Sequence, residues 1–196
     1  MTERAFDLFV EDRAHEAFLS ALIARIAAEE RLEPSLHIRS GRGGHGRALA
    51  ELKTYQQAVV KGGAGLPDLV VVAIDANCQS FNQARRQIGD RIEPGFQDRV
   101  VIACPDPHIE RWYMADPPSF KEVVGRQPRL EKVKCERDRY KQILVETIRD
   151  SGQVTTLGGI ELAGDLVAAM DLYRAGKSEP SLGSFVDDLR RALRAS

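Results

Sequence analysis

The sequence predicts an α/β fold: a parallel sheet of about four strands with flanking helices, followed by an α-helical C-terminal part. Three observations point there. The runs Phe6–Val10, Leu69–Ile74 and Val100–Ala103 are short and almost continuously apolar, as strands buried on both faces are. Helix-patterned stretches separate those runs, and strand–helix alternation favours a parallel sheet. Beyond Pro117-Pro118 only helical patterns remain.

Phe6–Val10 reads as the first strand, turning at Glu11-Asp12 into a helix with the stripe Phe18, Leu22, Ile23, Ile26. Pro34 ends that segment, and Ser35–Arg39 is a short second strand containing His37. Gly41-Arg42-Gly43-Gly44-His45-Gly46 forms an irregular loop before a helix over Arg47–Val60. A second break, Gly62 to Pro67, precedes the strand Leu69–Ile74. Asn77–Asp90 is expected to be helical, Val100–Ala103 is the fourth strand, and Pro105 and Pro107 shape a turn into a short helix, Ile109–Ala115. The helical tail divides into Phe120–Val124, Arg137–Arg149, Ile160–Tyr173 and Phe185–Arg194. Residues 1–118 are therefore expected to form the α/β core and 119–196 a helical extension packed on it.

Composition narrows the function classes. The 196 residues are 43% apolar and 29% charged, with a net charge of −1, so no global basic field drives nucleic-acid binding. A phosphate-binding surface has to be local. Cys78, Cys104 and Cys135 are widely spaced with no C-x-x-C pair, which reads as idle thiols rather than a zinc or redox site. Charged residues near the N-terminus argue against a signal peptide, and no apolar run approaches the roughly 20 residues that span a bilayer. A cytoplasmic protein with no membrane partner is expected.

The most informative feature is three acids that each follow a predicted strand: Glu11, Asp75 and Glu110. In parallel sheets, sites collect beyond the strands' C-terminal ends. Carboxylates gathered there repel unless a hard cation such as Mg2+ neutralises them. Each acid also has an ordinary reading: a helix-cap acid for Glu11, an Asx-turn for Asp75-Ala76-Asn77, and an exposed helix surface for Glu110. Repulsion among clustered acids predicts that neutralising Asp75 leaves the metal-free fold intact or more stable.

Together these motifs resemble the Toprim fold shared by topoisomerases, primase and the overcoming-lysogenisation-defect (OLD) nucleases. Phe9-Val10-Glu11 matches its glutamate after strand one, Ile74-Asp75-Ala76-Asn77 its Asp-x-Asp after strand three, and Ile109-Glu110-Arg111-Trp112 the further glutamate of OLD-like nucleases. The stretch Ile109–Asp116 resembles the Ile-Glu-x-Trp-x-x-Ala-Asp segment of small stand-alone prokaryotic Toprim-like proteins. The resemblance covers roughly residues 5–116. Two departures stand out: no glycine follows Glu11, and Asn77 replaces the usual second aspartate, which removes a charge and puts two-metal catalysis in doubt.

The resemblance implies Mg2+ or Mn2+ held by Glu11, Asp75 and Glu110 with Asn77 assisting, and Lys134, which with Lys132 follows the metal motifs, as a transition-state lysine. The glycine-rich loop invites a phosphate reading through Arg42, His45 and Arg47, although it lacks the ending of a P-loop. The four histidines are expected to make no metal site: His15-Glu16 lacks the second histidine of H-E-x-x-H. His108 stands near Glu110, with a structural role preferred, and Trp112 reads as core. Arg85, Arg86, Arg91 and Arg99 read as a solvated face.

The resulting expectation is a metal-dependent nuclease cleaving or nicking DNA or RNA. By resemblance it would be an effector subunit of a prokaryotic anti-phage defence system, with any ATPase activity on a separate subunit and homo-oligomers open. Two alternatives remain: a non-catalytic binding or regulatory subunit on a Toprim scaffold, and a hydrolase of a small phosphorylated molecule.

Overall fold

A computed structural model describes residues 2–39, 43–131, 133–136 and 138–195. Four strands, β1 (Thr2–Val10), β2 (Leu32–Ile38), β3 (Leu69–Ala73) and β4 (Val100–Ala103), form one parallel sheet in the order β2-β1-β3-β4. The chain leaves β1 for one edge of the sheet and returns to add β3 on the other side. The order therefore reverses between β1 and β3, and a parallel sheet opens its ligand crevice at such a point. Val10 stands opposite Ala73, so the residues after both strands emerge side by side.

Alternate residues of the strands enter two separate cores. Phe6, Leu8, Val10, Val71, Ala73, Val101 and Ala103 face α1 (Arg13–Glu29) and the C-terminal helices. Those helices are α5 (Pro117–Val124), α6 (Arg139–Asp150), α7 (Ala163–Ala169), α8 (Leu172–Ser178) and α9 (Pro180–Ala195). Phe9, Val70, Val72 and Ile74 face α2 (Gly44–Val60) and α3 (Phe81–Gly89). The short helix α4 (Glu110–Tyr113) joins the first core through Trp112 and Tyr113. Trp112 stacks on Phe185 of α9 and donates its indole N–H to Ser181, while the Tyr113 hydroxyl donates to Ala14 O in the first turn of α1. The beginnings of α1 and α4 are thereby held together.

Several boundaries differ from the sequence expectation for identifiable reasons. The helix α1 stops at Glu29 and Arg31 turns through a left-handed backbone, so Pro34 falls inside β2. An edge strand tolerates proline because one side of its ladder is unpaired. The predicted helix from Asn77 begins only at Phe81, after a Ser80 cap that accepts from Gln83 N–H. Ile160–Tyr173 is broken into a 3-10 turn, α7 and the start of α8, with Met170 extended between the two α-helices.

Candidate metal centre

Glu11, Asp12 and His15 are brought to one spot by the turn from β1 into α1. Asp12, not Glu11, caps the helix, accepting from the N–H groups of Ala14 (2.9 Å) and His15 (3.1 Å). Glu11 is thus free to reach towards β3, where its Oε2 accepts the Asp75 N–H at 3.3 Å. His15 is fully buried in the first helical turn. Its Nδ1–H donates to Asp12 Oδ1 (2.8 Å) and its Nε2–H to Asp75 Oδ1 (3.0 Å).

Asp75 is buried beyond the end of β3, and its second oxygen accepts from His108 Nδ1 at 3.1 Å. The backbone around it is set by the loop after β4: Ala76 N–H donates to Pro105 O and Asn77 N–H to Pro107 O. Asn77 has a left-handed backbone and turns its amide NH2 back onto the Asp75 carbonyl (3.1 Å). This runs opposite to an Asx-turn, in which the side-chain oxygen accepts from an N–H two residues on, and it leaves the amide oxygen for another partner.

Glu11, Asp75, Asn77, Glu110 and Lys134 all line one cleft of about 430 Å3, together with Asp12, Cys78, His108, Cys135, Asp138 and Lys141. Lys134 Nζ pairs with Asp106 at 2.6 Å. The phosphate candidates do not line this cleft among the described residues, although His45 lies near enough to Glu11 to interact with it electrostatically. His45 lines a separate cleft with Lys53 and Arg91, the Arg47 guanidinium pairs with Glu51 on its own helix (2.9 Å), and Arg42 lies outside the described residues. Arg85, read from sequence as solvated, reaches α9 and bonds Ser184 and Asp188.

Electrostatics divide the acids into two kinds. Burial raises the Glu11 carboxyl, and the charge of Asp75 adds to it, outweighing His15. Burial likewise raises Glu110. Burial would also raise Asp75, but the charge of His15 and hydrogen bonds from His108 and His15 hold it below the usual carboxylate range. Burial opposes a charged His15, yet Asp75 and Asp12 together keep this imidazole well above its ordinary value. The hydrogen bond to Asp75 raises His108 as well.

Among the described residues, Glu11, His15 and Asp75 form the one set of three or more whose ligand atoms lie close enough to share an ion, all within 4.8 Å. Two carboxylates and an imidazole suit a divalent cation; the nitrogen favours Mn2+ over Mg2+, which prefers an all-oxygen shell. A cation and the Nε2 proton compete for the same lone pair, so loading this set releases a proton. Sequence reasoning passed over His15 because it sought a second histidine at helical spacing. The available signal was different: a histidine in the first turn of a helix that starts directly after a buried strand and an acid. His108 carried a similar cue, two residues before Glu110.

Residues 10–190 match the family model described as Domain of unknown function (DUF4276). The chain belongs to the DUF4276 family. No curated protein and no solved structure matches it. The matched range takes in Glu11, His15, Asp75, His108 and Glu110, so the whole cleft lies within the part this DUF4276 chain shares with its family. Among the described residues, no helix is long and apolar enough to cross a membrane.

Proposed function

We propose that this DUF4276 protein is a metal-dependent nuclease, built on a scaffold related to the Toprim fold, that hydrolyses the phosphodiester backbone of DNA or RNA. One observation carries this reading: Glu11, His15 and Asp75 converge at the switch point of a parallel sheet, in a cleft also lined by Glu110 and Lys134. Mg2+ or Mn2+ held by Glu11, Asp75 and Glu110, with His15 as ligand or as support for Asp75, would polarise a phosphoryl oxygen and acidify a water. The chain's own groups would do the rest. Glu11 or Glu110 would accept a proton from the attacking water. Lys134 would exchange Asp106 for a phosphate oxygen and stabilise the charge of the pentavalent state. Nucleic acid is the partner this chemistry requires. The sequence has no ATPase motif, so any ATP-driven step would fall to a separate subunit.

A second reading has its own support. His15 and His108 already satisfy both Asp75 oxygens, and Asn77 is used to anchor a turn. That arrangement fits a non-catalytic binding subunit on the same scaffold.

Supercoiled plasmid, single-stranded DNA, transfer RNA and a small phosphomonoester, each over a Mn2+ titration, separate the readings. Nicking or cleavage of nucleic acid by the wild type, lost in Glu11→Gln, is the expected result. Mn2+ binding without cleavage of any substrate would favour the binding subunit. Turnover of the phosphomonoester alone would move the assignment to a small-molecule hydrolase.

A further inference from the structure

Beside the metal cleft lies a second hollow of about 320 Å3, and the two share Asp12, Glu110 and Lys141. Its volume falls in the range of small-ligand pockets, roughly 300–1,000 Å3. Where the cleft is acidic, this hollow is walled by Tyr113, Leu144, Leu157 and Ile160. Leu157 is 52% exposed, so it contributes little to the core, yet its place is fixed. The Glu161 carboxylate accepts from Thr155 Oγ1 (2.8 Å) and from the N–H groups of Thr156 (2.7 Å), Leu157 (3.3 Å) and Gly159 (3.1 Å). Gly159 has a left-handed backbone and lies so close to α6 that a Cβ there would stand 2.5 Å from Ile148 Cδ1. The loop is thus preformed, and it holds an apolar side chain at the edge of the hollow. Two cations face the same space, Lys141 in the first turn of α6 and Arg13 at the start of α1. Among the described residues neither forms an ion pair, whereas Lys134 is committed to Asp106.

Building on the nuclease reading, we propose that this hollow receives one unpaired nucleobase of a strand whose backbone runs through the metal cleft, so that the substrate is single-stranded nucleic acid. The aliphatic walls and the Tyr113 ring would strip water from a phosphate without replacing its hydrogen bonds, but they match the apolar faces of a base. Arg13 offers guanidinium donors to the ring nitrogens and carbonyl oxygens of a base edge. Lys141 stands on the border between the two hollows, where a cation meets the phosphate next to the buried base. A duplex does not present the same group: its bases are stacked and paired, and extruding one costs both interactions.

Fluorescence anisotropy of the full chain with Mn2+ tests this, using a labelled single strand, its blunt duplex, and a strand of equal length in which every position is abasic. Each probe is made as DNA and as RNA with phosphorothioate linkages, which resist hydrolysis, so binding is read without turnover. On at least one backbone the single strand should bind about tenfold tighter than both the abasic strand and the duplex. Leu157→Ser, at an exposed position, should remove most of that preference and leave the abasic strand's affinity unchanged. Lys141→Gln should weaken strand and abasic strand by the same few-fold factor and lower the salt dependence of both. Equal or no affinity for the three probes, or a preference untouched by Leu157→Ser, would overturn the proposal. An ordinary phosphodiester strand held with base preference but never cut would keep the pocket and remove the nuclease reading. Strand and duplex cut alike, with no base preference, would do the reverse.

Discussion

His15 Nε2 lies 3.0 Å from Asp75 Oδ1, a buried contact that ties the first turn of α1 to the end of β3. With Asp12 on the other ring nitrogen at 2.8 Å, the imidazole joins two carboxylates that arrive from different strand–helix junctions. Removing one partner of a buried charged pair leaves the other uncompensated, at a cost of about 3–5 kcal/mol. His15→Ala should therefore destabilise the metal-free protein by about that amount in urea unfolding. Loss of a ligand or its immediate support should also weaken Mn2+ binding by about 10–100-fold, measured by calorimetry. Unchanged stability would mean that the imidazole carries no charge in the fold.

Glu11 and Asp75 should respond to neutralisation in opposite ways, despite sharing the cleft. Asp75 accepts from two imidazoles, so Asp75→Asn leaves His15 and His108 each short of a charged acceptor. Hydrogen bonds to charged groups are worth about 1.5–3 kcal/mol, and a loss of that order is expected from the metal-free protein. Glu11 is raised by burial and by Asp75, so its charge is a liability without a cation. Glu11→Gln should change apo stability by less than about 1 kcal/mol, or increase it. Both substitutions should abolish stabilisation by Mn2+, and paired thermal melts with and without the metal check all four values.

That contrast marks how much of the site was legible in the sequence. The apolar runs located β3 and β4 closely: β3 is buried on both faces, and β4, an edge strand with alternate residues half-buried, keeps an equally continuous apolar run. Their ends then placed Glu11, Asp75 and Glu110 at the sheet's C-terminal edge. The sequence led to the expectation that Asp75→Asn would leave the apo fold as stable or stabilise it; the contacts of Asp75 with His15 and His108 argue the other way, because the sequence offered acids without the histidines between them. Hydrogen bonds from His15 and His108 depend on how α1 and the loop after β4 lean over the crevice, and that is a tertiary fact. Pro34 was misread for a local reason: its place in an edge strand depends on which side of β2 is unpaired.

Asp116 closes the Ile109–Asp116 stretch, and its role is structural. Its buried carboxylate accepts from Arg174 Nε (2.5 Å) and a second guanidinium nitrogen (2.8 Å), from Ser119 Oγ (2.7 Å) and from Asp171 N–H (2.8 Å). The carboxylate thus clamps the start of α5 to the start of α8. Burial would raise Asp116, but these hydrogen bonds and the Arg174 charge hold it below 3.8. For a depressed acid, the stabilisation is present above the unfolded value and lost as pH falls through the folded one. Asp116→Asn should cost about 2–3 kcal/mol at neutral pH. The deficit should persist at pH 5 and shrink only as pH falls below 3.8, which guanidine titrations of both proteins at stepped pH would reveal. A deficit independent of pH down to the folded value and beyond would exclude the charge as its source.

Asn77 is where an active enzyme and a binding scaffold part company. Its amide donates to the Asp75 carbonyl at 3.1 Å from a left-handed backbone that asparagine tolerates better than most residues. Asn77→Asp keeps the size and removes the donor, so the metal-free turn should lose about 0.5–1.5 kcal/mol. The new carboxylate faces a cleft already holding Glu11, Asp75 and Glu110, which deepens the apo penalty and strengthens attraction for a cation. Mn2+ should therefore bind Asn77→Asp more tightly than wild type while the apo protein melts earlier. Asn77→Gly separates the two effects, because glycine accepts the left-handed backbone yet supplies neither donor nor ligand. If Asn77→Gly binds Mn2+ like the wild type and Asn77→Asp binds it tighter, the native amide serves the turn alone. If Asn77→Gly loses Mn2+ affinity while its melt is unchanged, the amide oxygen is itself a ligand.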